Sequence, residues 1–131
     1  MIMRYLGIDY GTKKIGIALS DSECRIATPK EVFKNDKNLI ENIKKMTKEN
    51  LVNEIIIGES LDYKGKHNPL MKKILPFKKK LEEEIGLPVI FEPEFMSSIQ
   101  AERVQGKIEK LDASAASIIL QSYLDKIKQK Y

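Results

Sequence analysis

With 131 residues, 42% hydrophobic and 32% charged, the chain is long enough for one domain with one core and too apolar to be disordered. Its net charge of +4 is a mild basic bias; no apolar run nears the roughly 18 residues that span a bilayer and no signal-peptide pattern opens the chain, so a cytoplasmic protein is expected. A single cysteine, Cys24, and a single histidine, His67, exclude an intramolecular disulfide and any cysteine-rich or two-histidine zinc site, which leaves oxygen ligands for any metal.

Tyr5 to Asp9 reads as a short buried strand and Ile15 to Leu19 as a second, antiparallel to it, with Tyr10 to Lys14 turning between them. A third extended piece includes Arg25 to Thr28 and stops near Pro29, because proline is tolerated at a sheet edge but not inside a ladder. Asn35 or Asp36 offers an N-cap, and Leu39, Ile40, Ile43 and Met46 recur at helical spacing toward Asn50. The block Glu54 to Gly58, EIIIG, is too short for a helix and apolar on both faces, as a central parallel strand beside the first would be. Leu70, Ile74, Phe77, Leu81 and Ile85 trace one face of a second helix, which Pro76 should kink or divide and Gly86 should end. Pro88 to Glu92 makes another short strand. Ser97 with Gln100 three residues on forms a capping-box pattern that opens a third helix. The last helix starts near Asp112 and runs through Ala115, Ala116, Ile119, Leu120 and Tyr123.

Three strands in a meander followed by strand and helix in alternation predict an α/β fold. The expected sheet is mixed, with an antiparallel meander, parallel strands and helices on both faces. No linker, repeat or low-complexity stretch divides residues 1–131, so a single domain is expected.

Gly7, Gly11 and Gly16 surround Asp9, and Thr12, Lys13 and Lys14 follow it. A carboxylate at the end of a central strand beside such a turn could hold a divalent metal, with backbone N–H groups near for a phosphate; a plain hairpin turn built from Asp and Gly is the competing account. Asp112 opens the last helix, and taken alone an N-cap is the favoured account; the functional account is a metal ligand carried over the sheet to Asp9 on a helix whose Ala113, Ala115 and Ala116 permit close packing. A two-metal site needs a third carboxylate, since Mg²⁺ and Mn²⁺ prefer several hard oxygens. Glu59 follows EIIIG and Glu94 follows VIFE, both at strand ends where α/β active sites usually lie, and the residues alone leave that choice open. Lys64, Lys66, Lys72, Lys73, Lys78, Lys79 and Lys80 fall in a stretch with no acid, which suits either a phosphate-facing surface or a solvated helix face.

Four blocks in order, LGIDYGTKKIGIALSD at 6–21, EIIIGESLDYKGKHNPL at 54–70, SSIQAER at 97–103 and LDASAASIILQSYLD at 111–125, make nearly the whole chain resemble the YqgF (RuvX) family, relatives of the Holliday-junction resolvase RuvC. The resemblance implies an RNase H-like fold with a five-stranded mixed sheet. It also implies a Mg²⁺- or Mn²⁺-dependent nuclease acting on structured nucleic acid, either the 5′ end of precursor 16S rRNA or branched DNA, as a monomer or weak homodimer. Asp9 matches the family's first-strand aspartate, Asp112 the aspartate of the last helix, and Glu94 the glutamate of an Asp-Glu-Arg motif whose flanking residues here are Pro93 and Phe95. Glu59 stands where the family's Gly-Leu-Pro has leucine, and it is expected to compensate for the altered surroundings of Glu94.

Lys13, Lys14, Lys64, Lys66, Lys72, Lys73 and Arg103 are the expected nucleic-acid contacts, and the stretch from Arg103 to Asp112 is shorter than the basic loop of many members, although Lys107 and Lys110 remain in it. Two other classes compete. Asp9 to Thr12 also resembles the phosphate loop of the actin and sugar-kinase superfamily, whose members pair two such domains, and the altered motif around Glu94 suits a nucleic-acid-binding protein with lost catalysis.

Overall fold

The computed structural model describes residues 3–95 and 108–129, with the side chains of 95, 108–112 and 128–129 outside that description. Its elements in chain order are β1 (Tyr5–Asp9), β2 (Lys14–Ser20), β3 (Ala27–Lys34), α1 (Leu39–Glu49), β4 (Glu54–Leu61), α2 (Met71–Ile85), β5 (Val89–Phe95) and α3 (Ile108–Gln129). The sheet order is β3-β2-β1-β4-β5. β1 pairs antiparallel with β2, and β2 with β3, while β1–β4 and β4–β5 are parallel. The antiparallel meander and the parallel half therefore meet at β1, the strand that ends in Asp9.

Alternation along the strands divides the core into two layers. Leu6, Ile8, Ile15, Ile17, Ile55 and Ile57 pack with Leu39 and Ile43 of α1 and with Met71, Ile74, Phe77 and Leu81 of α2. Tyr5, Ala18 and Ile56 leave the opposite face and pack under Ala116, Ile119, Leu120 and Leu124 of α3. Because Ile55 to Ile57 are buried on both faces, EIIIG is the central parallel strand its composition describes.

Two glycines set how near α3 lies to the sheet. A Cβ at Gly7 would sit 2.8 Å from Leu120 Cβ and 3.0 Å from the Ala116 carbonyl oxygen; at Gly58 it would sit 2.7 Å from Ile119 Cδ1. A polar tie supplements this contact. Glu92 of β5 is buried, and its carboxylate accepts from Ser122 Oγ at 2.8 Å and pairs with Lys126 Nζ at 2.7 Å, both on α3. The buried charge is thus matched by a cation whose own side chain is half exposed.

Several elements depart from the predicted bounds. β3 does not stop near Pro29 but runs through it to Lys34, which is possible because β3 is an edge strand and the β2–β3 register shifts between Ile17 and Ala18, the partner of Pro29. α1 starts at Leu39 after Asn38, not after Asn35 or Asp36; the Asp36 carboxylate instead accepts from the Asn38 N–H at 2.9 Å. α2 is one helix, not two, with Pro76 on its exposed side, where water can satisfy the carbonyl that loses its partner. β4 and β5 continue to Leu61 and Phe95, so Glu59 and Glu94 lie within strands rather than after them. α3 begins at Ile108, which puts Asp112 inside the helix and not at its N-cap. The helix predicted to open at Ser97 lies outside the described residues. No helix among the described residues is long and apolar enough to cross a membrane.

Gly7→Ala should lower the melting temperature by several degrees, because the new methyl would press on α3 backbone and on a buried Leu120, a clash worth about 1–3 kcal/mol. Thermal unfolding followed by circular dichroism checks this.

Candidate active site

Tyr5, Gly7 and Asp9 alternate toward α3, and Asp9 is the last residue of β1, paired across β2 with Gly16. The parallel ladder to β4 is in register through Ile8 and Ile57, so one further step sets Asp9 beside Gly58. On the other side of Gly58 stands β5, where Gly58 pairs with Glu92 and Ser60 with Glu94. Glu92 and Glu94 share the α3 face, and Glu94 Oε2 is 3.1 Å from where a Gly58 Cβ would be. Gly58 is therefore a floor without a side chain between the strand bearing Asp9 and the strand bearing Glu94.

α3 is antiparallel to β1 above this floor. Tyr123 meets the Tyr5 ring at 5.6 Å between centroids, and Ala116 and Leu120 lie over Gly7. Residue 112, one turn before Ala116, consequently belongs to the end of α3 that lies toward Asp9. Its side chain lies outside the described residues.

Glu59 is on the other face. Ile55, Ile57 and Glu59 alternate together, and the first two pack in the layer of α1 and α2. Its carboxylate Oε2 is 2.9 Å from His67 Nε2, and its cross-strand partner in β5 is Pro93. The structure thus brings Asp9 and Glu94 to one face at the end of the sheet and directs Glu59 and Pro93 away from them. Among the described residues no three His, Cys, Asp or Glu side chains gather as a metal site.

Glu94 is half-buried, and burial pushes its carboxyl above the ordinary glutamate value. No cation or hydrogen-bond donor is recorded against it among the described residues, in contrast to Glu92 two residues earlier. A desolvated carboxylate with no protein counter-charge is a hard oxygen donor whose ionised form a bound cation would favour.

The cations sort by position. Lys13 is exposed in the β1–β2 turn and Lys14 opens β2. Lys64 and Lys66 are exposed on the loop after β4, which is closed by Asp62: its carboxylate accepts from the Lys64 N–H at 2.8 Å and the Lys66 N–H at 2.9 Å. Lys72 and Lys73 are exposed in the first turn of α2, whereas Lys78 lies over the Phe91 ring and pairs with Glu82 at 3.0 Å. Arg103 lies outside the described residues. Sequence reasoning missed Glu92, the Glu59–His67 pair and the role of Gly58. A glycine in each of the two neighbouring central strands was the available signal for the close helix, while the two pairs join residues too distant or too exposed to show a pattern.

The architecture is that of RNase H-like nucleases and resolvases. Two solved structures share it: RuvC of Thermus thermophilus in complex with a Holliday junction, at TM-score 0.59 and 17% identity with 96% of each chain covered, and the fowlpox virus Holliday junction resolvase, at TM-score 0.54 and 19% identity with 95% and 99% covered. Within that class the chain belongs to the RuvX family, described as Holliday junction resolvase, whose sequence profile matches residues 3–126. Relatives named "Putative pre-16S rRNA nuclease" from Caldanaerobacter subterraneus subsp. tengcongensis and Dictyoglomus turgidum are each 36% identical, over 96% and 95% of this chain and 99% and 96% of theirs.

The raised Glu94 carboxyl has a signed consequence for stability. The folded state holds the Glu94 proton more tightly than the unfolded chain, so its contribution is complete below the ordinary glutamate value and is lost as pH rises through the raised one. Without divalent metal, Glu94→Gln should therefore melt higher than wild type at pH 7, and the gap should close below about pH 4. Paired thermal melts across pH measure it.

Proposed function

We propose that the protein is a divalent-metal-dependent nuclease of structured nucleic acid, formed by residues 1–131 as a single RNase H-like domain and acting in the cytoplasm on the 5′ end of precursor 16S rRNA. The observation that carries this reading is the pair Asp9 and Glu94 on neighbouring sides of Gly58, with Glu94 desolvated and α3 closing over the same face. Mg²⁺ or Mn²⁺ held by Asp9, Glu94 and Asp112 would supply a Lewis acid and a water activated for attack on a phosphodiester. Glu59 stands outside this set, because it faces α1 and α2 and is engaged by His67.

The remaining work falls to the chain's own groups. Gly58 leaves the two carboxylates free of an intervening side chain, and the packing of α3 on Gly7 excludes water from the layer beneath them. Lys13, Lys14, Lys64, Lys66, Lys72, Lys73 and Arg103 hold the phosphodiester backbone by charge, which gives salt-sensitive binding with little base preference. Pro93 and Phe95 replace the family's Asp and Arg, but Glu94 keeps both its carboxylate and its place on the α3 face, which favours a working site over a degenerate one. Branched DNA is the second substrate reading, supported by the family's description as a resolvase.

Asp9→Asn should reduce Mn²⁺-dependent cleavage of a precursor 16S rRNA fragment by about two orders of magnitude or more while leaving metal-free binding of that RNA near wild type. Mn²⁺ should raise the melting temperature of wild type and not of Asp9→Asn. Undiminished cleavage by Asp9→Asn would overturn the assignment, and a four-way DNA junction in parallel assays ranks the two substrates.

A further inference from the structure

We propose a second nucleic-acid contact at the open end of the β2–β3 ladder, where Lys14 and Lys34 straddle the backbone of an unpaired strand running on from the active site. The inference rests on the nuclease reading above and adds Lys34, a residue outside every contact named so far. Lys14 and Lys34 are Cα partners in the antiparallel ladder, so both side chains leave one face of the sheet. That face is the one bearing Asp9: Gly16 pairs with Asp9 on β1 and with Val32 on β3, and Lys14 and Lys34 lie two residues along from Gly16 and Val32.

Between them is an open cavity of about 310 Å³ lined by Lys14, Val32, Phe33 and Lys34. Its size is that of a small-ligand site, with room for a nucleotide and not for a duplex. Val32 supplies apolar surface on that face, Phe33 turning to the α1 and α2 layer, which suits a sugar or base against Val32 and a phosphate beside the two lysines. Like charges at directly opposed positions repel, and an anion lying between them is attracted by both.

The two lysine-bearing segments are held to one another. The Asn35 N–H donates to the Lys13 carbonyl at 2.9 Å, and Asn35 Nδ2 donates to the Gly11 carbonyl at 2.9 Å, so the end of β3 is fastened to the turn that follows Asp9. Glu31 pairs with Ile17 and belongs to the α1 and α2 face, and the Asp36 carboxylate accepts from Asn38. With strands about 4.8 Å apart, β3 lies roughly 10 Å from β1, so the contact reaches phosphates beside the scissile one, not the scissile one itself. The site therefore selects substrates in which an unpaired strand continues past the cleavage point.

The test uses full-length protein without divalent metal and fluorescein-labelled duplexes, one blunt and two extended by a single strand at the 5′ or the 3′ end, read by fluorescence anisotropy across a salt series. Wild type should bind one extended probe more tightly than the blunt one. Lys34→Gln should lose most of that advantage, lower the salt slope on the extended probe by about 0.7 and leave the blunt probe unchanged. Lys48→Gln, the same charge change on α1, should leave both probes unchanged. Lys34→Gln binding every probe like wild type, or weakening blunt and extended probes equally, overturns the proposal and leaves the nuclease reading standing. Wild type that binds no probe overturns both.

Discussion

The approach of one helix to two glycines governs the arrangement of the molecule. Gly7 and Gly58 lie on adjacent central strands, and any side chain at either would meet α3 within 3 Å. Their absence of side chains brings Ala116, Ile119 and Leu120 down to the sheet, and the helix then carries its N-terminal turns toward the end of β1. That contact keeps α3 on the sheet face that carries Asp9 and Glu94 at the strand ends. Glu92 reinforces the placement from β5, since its bonds to Ser122 and Lys126 tie the far half of α3 to the sheet.

Two glutamates two residues apart on β5 have opposite electrostatic circumstances. Glu92 is more deeply buried yet has a lysine and a hydroxyl against it, whereas Glu94 is less buried and has no such partner among the described residues. Depth of burial alone thus does not decide a carboxylate's electrostatic state; the presence or absence of a partner does. On the reverse face, Glu59 has a histidine at hydrogen-bond distance and shares the side of the strand from which Ile55 and Ile57 leave, so proximity in sequence to the central strand's end says little about which side of the sheet an acid faces.

Much of the fold was legible in the residues. Alternation and the EIIIG block define β1, β2 and β4, and the helical spacing of Leu39 to Met46 and of Leu70 to Ile85 defines α1 and α2, because hydrophobic period is a local property of the chain. Strand ends were less legible. β4 and β5 each continue three residues beyond the apolar run because they pair with one another, and that pairing is invisible in either segment alone. Pro29 misled for the same reason, since its tolerance depends on β3 being an edge with a shifted register. For the candidate site, the glycine-rich turn pointed to Asp9 and the family blocks to Asp112. Which face Glu59 and Glu94 each occupy was not legible, because it turns on the pleat: a one-residue difference in parity separates the two faces.

Pro29 also bears on how the molecule keeps company with its own kind. In the described sheet the outermost strands are β3 and β5, and each contains a proline, Pro29 and Pro93, at a position with no N–H to offer an incoming strand. The register shift beside Pro29 further twists that border out of line for a flat neighbour. A concentrated population of these molecules is thereby discouraged from growing sheet upon sheet, and the five-stranded layer is kept from becoming a template for aggregation.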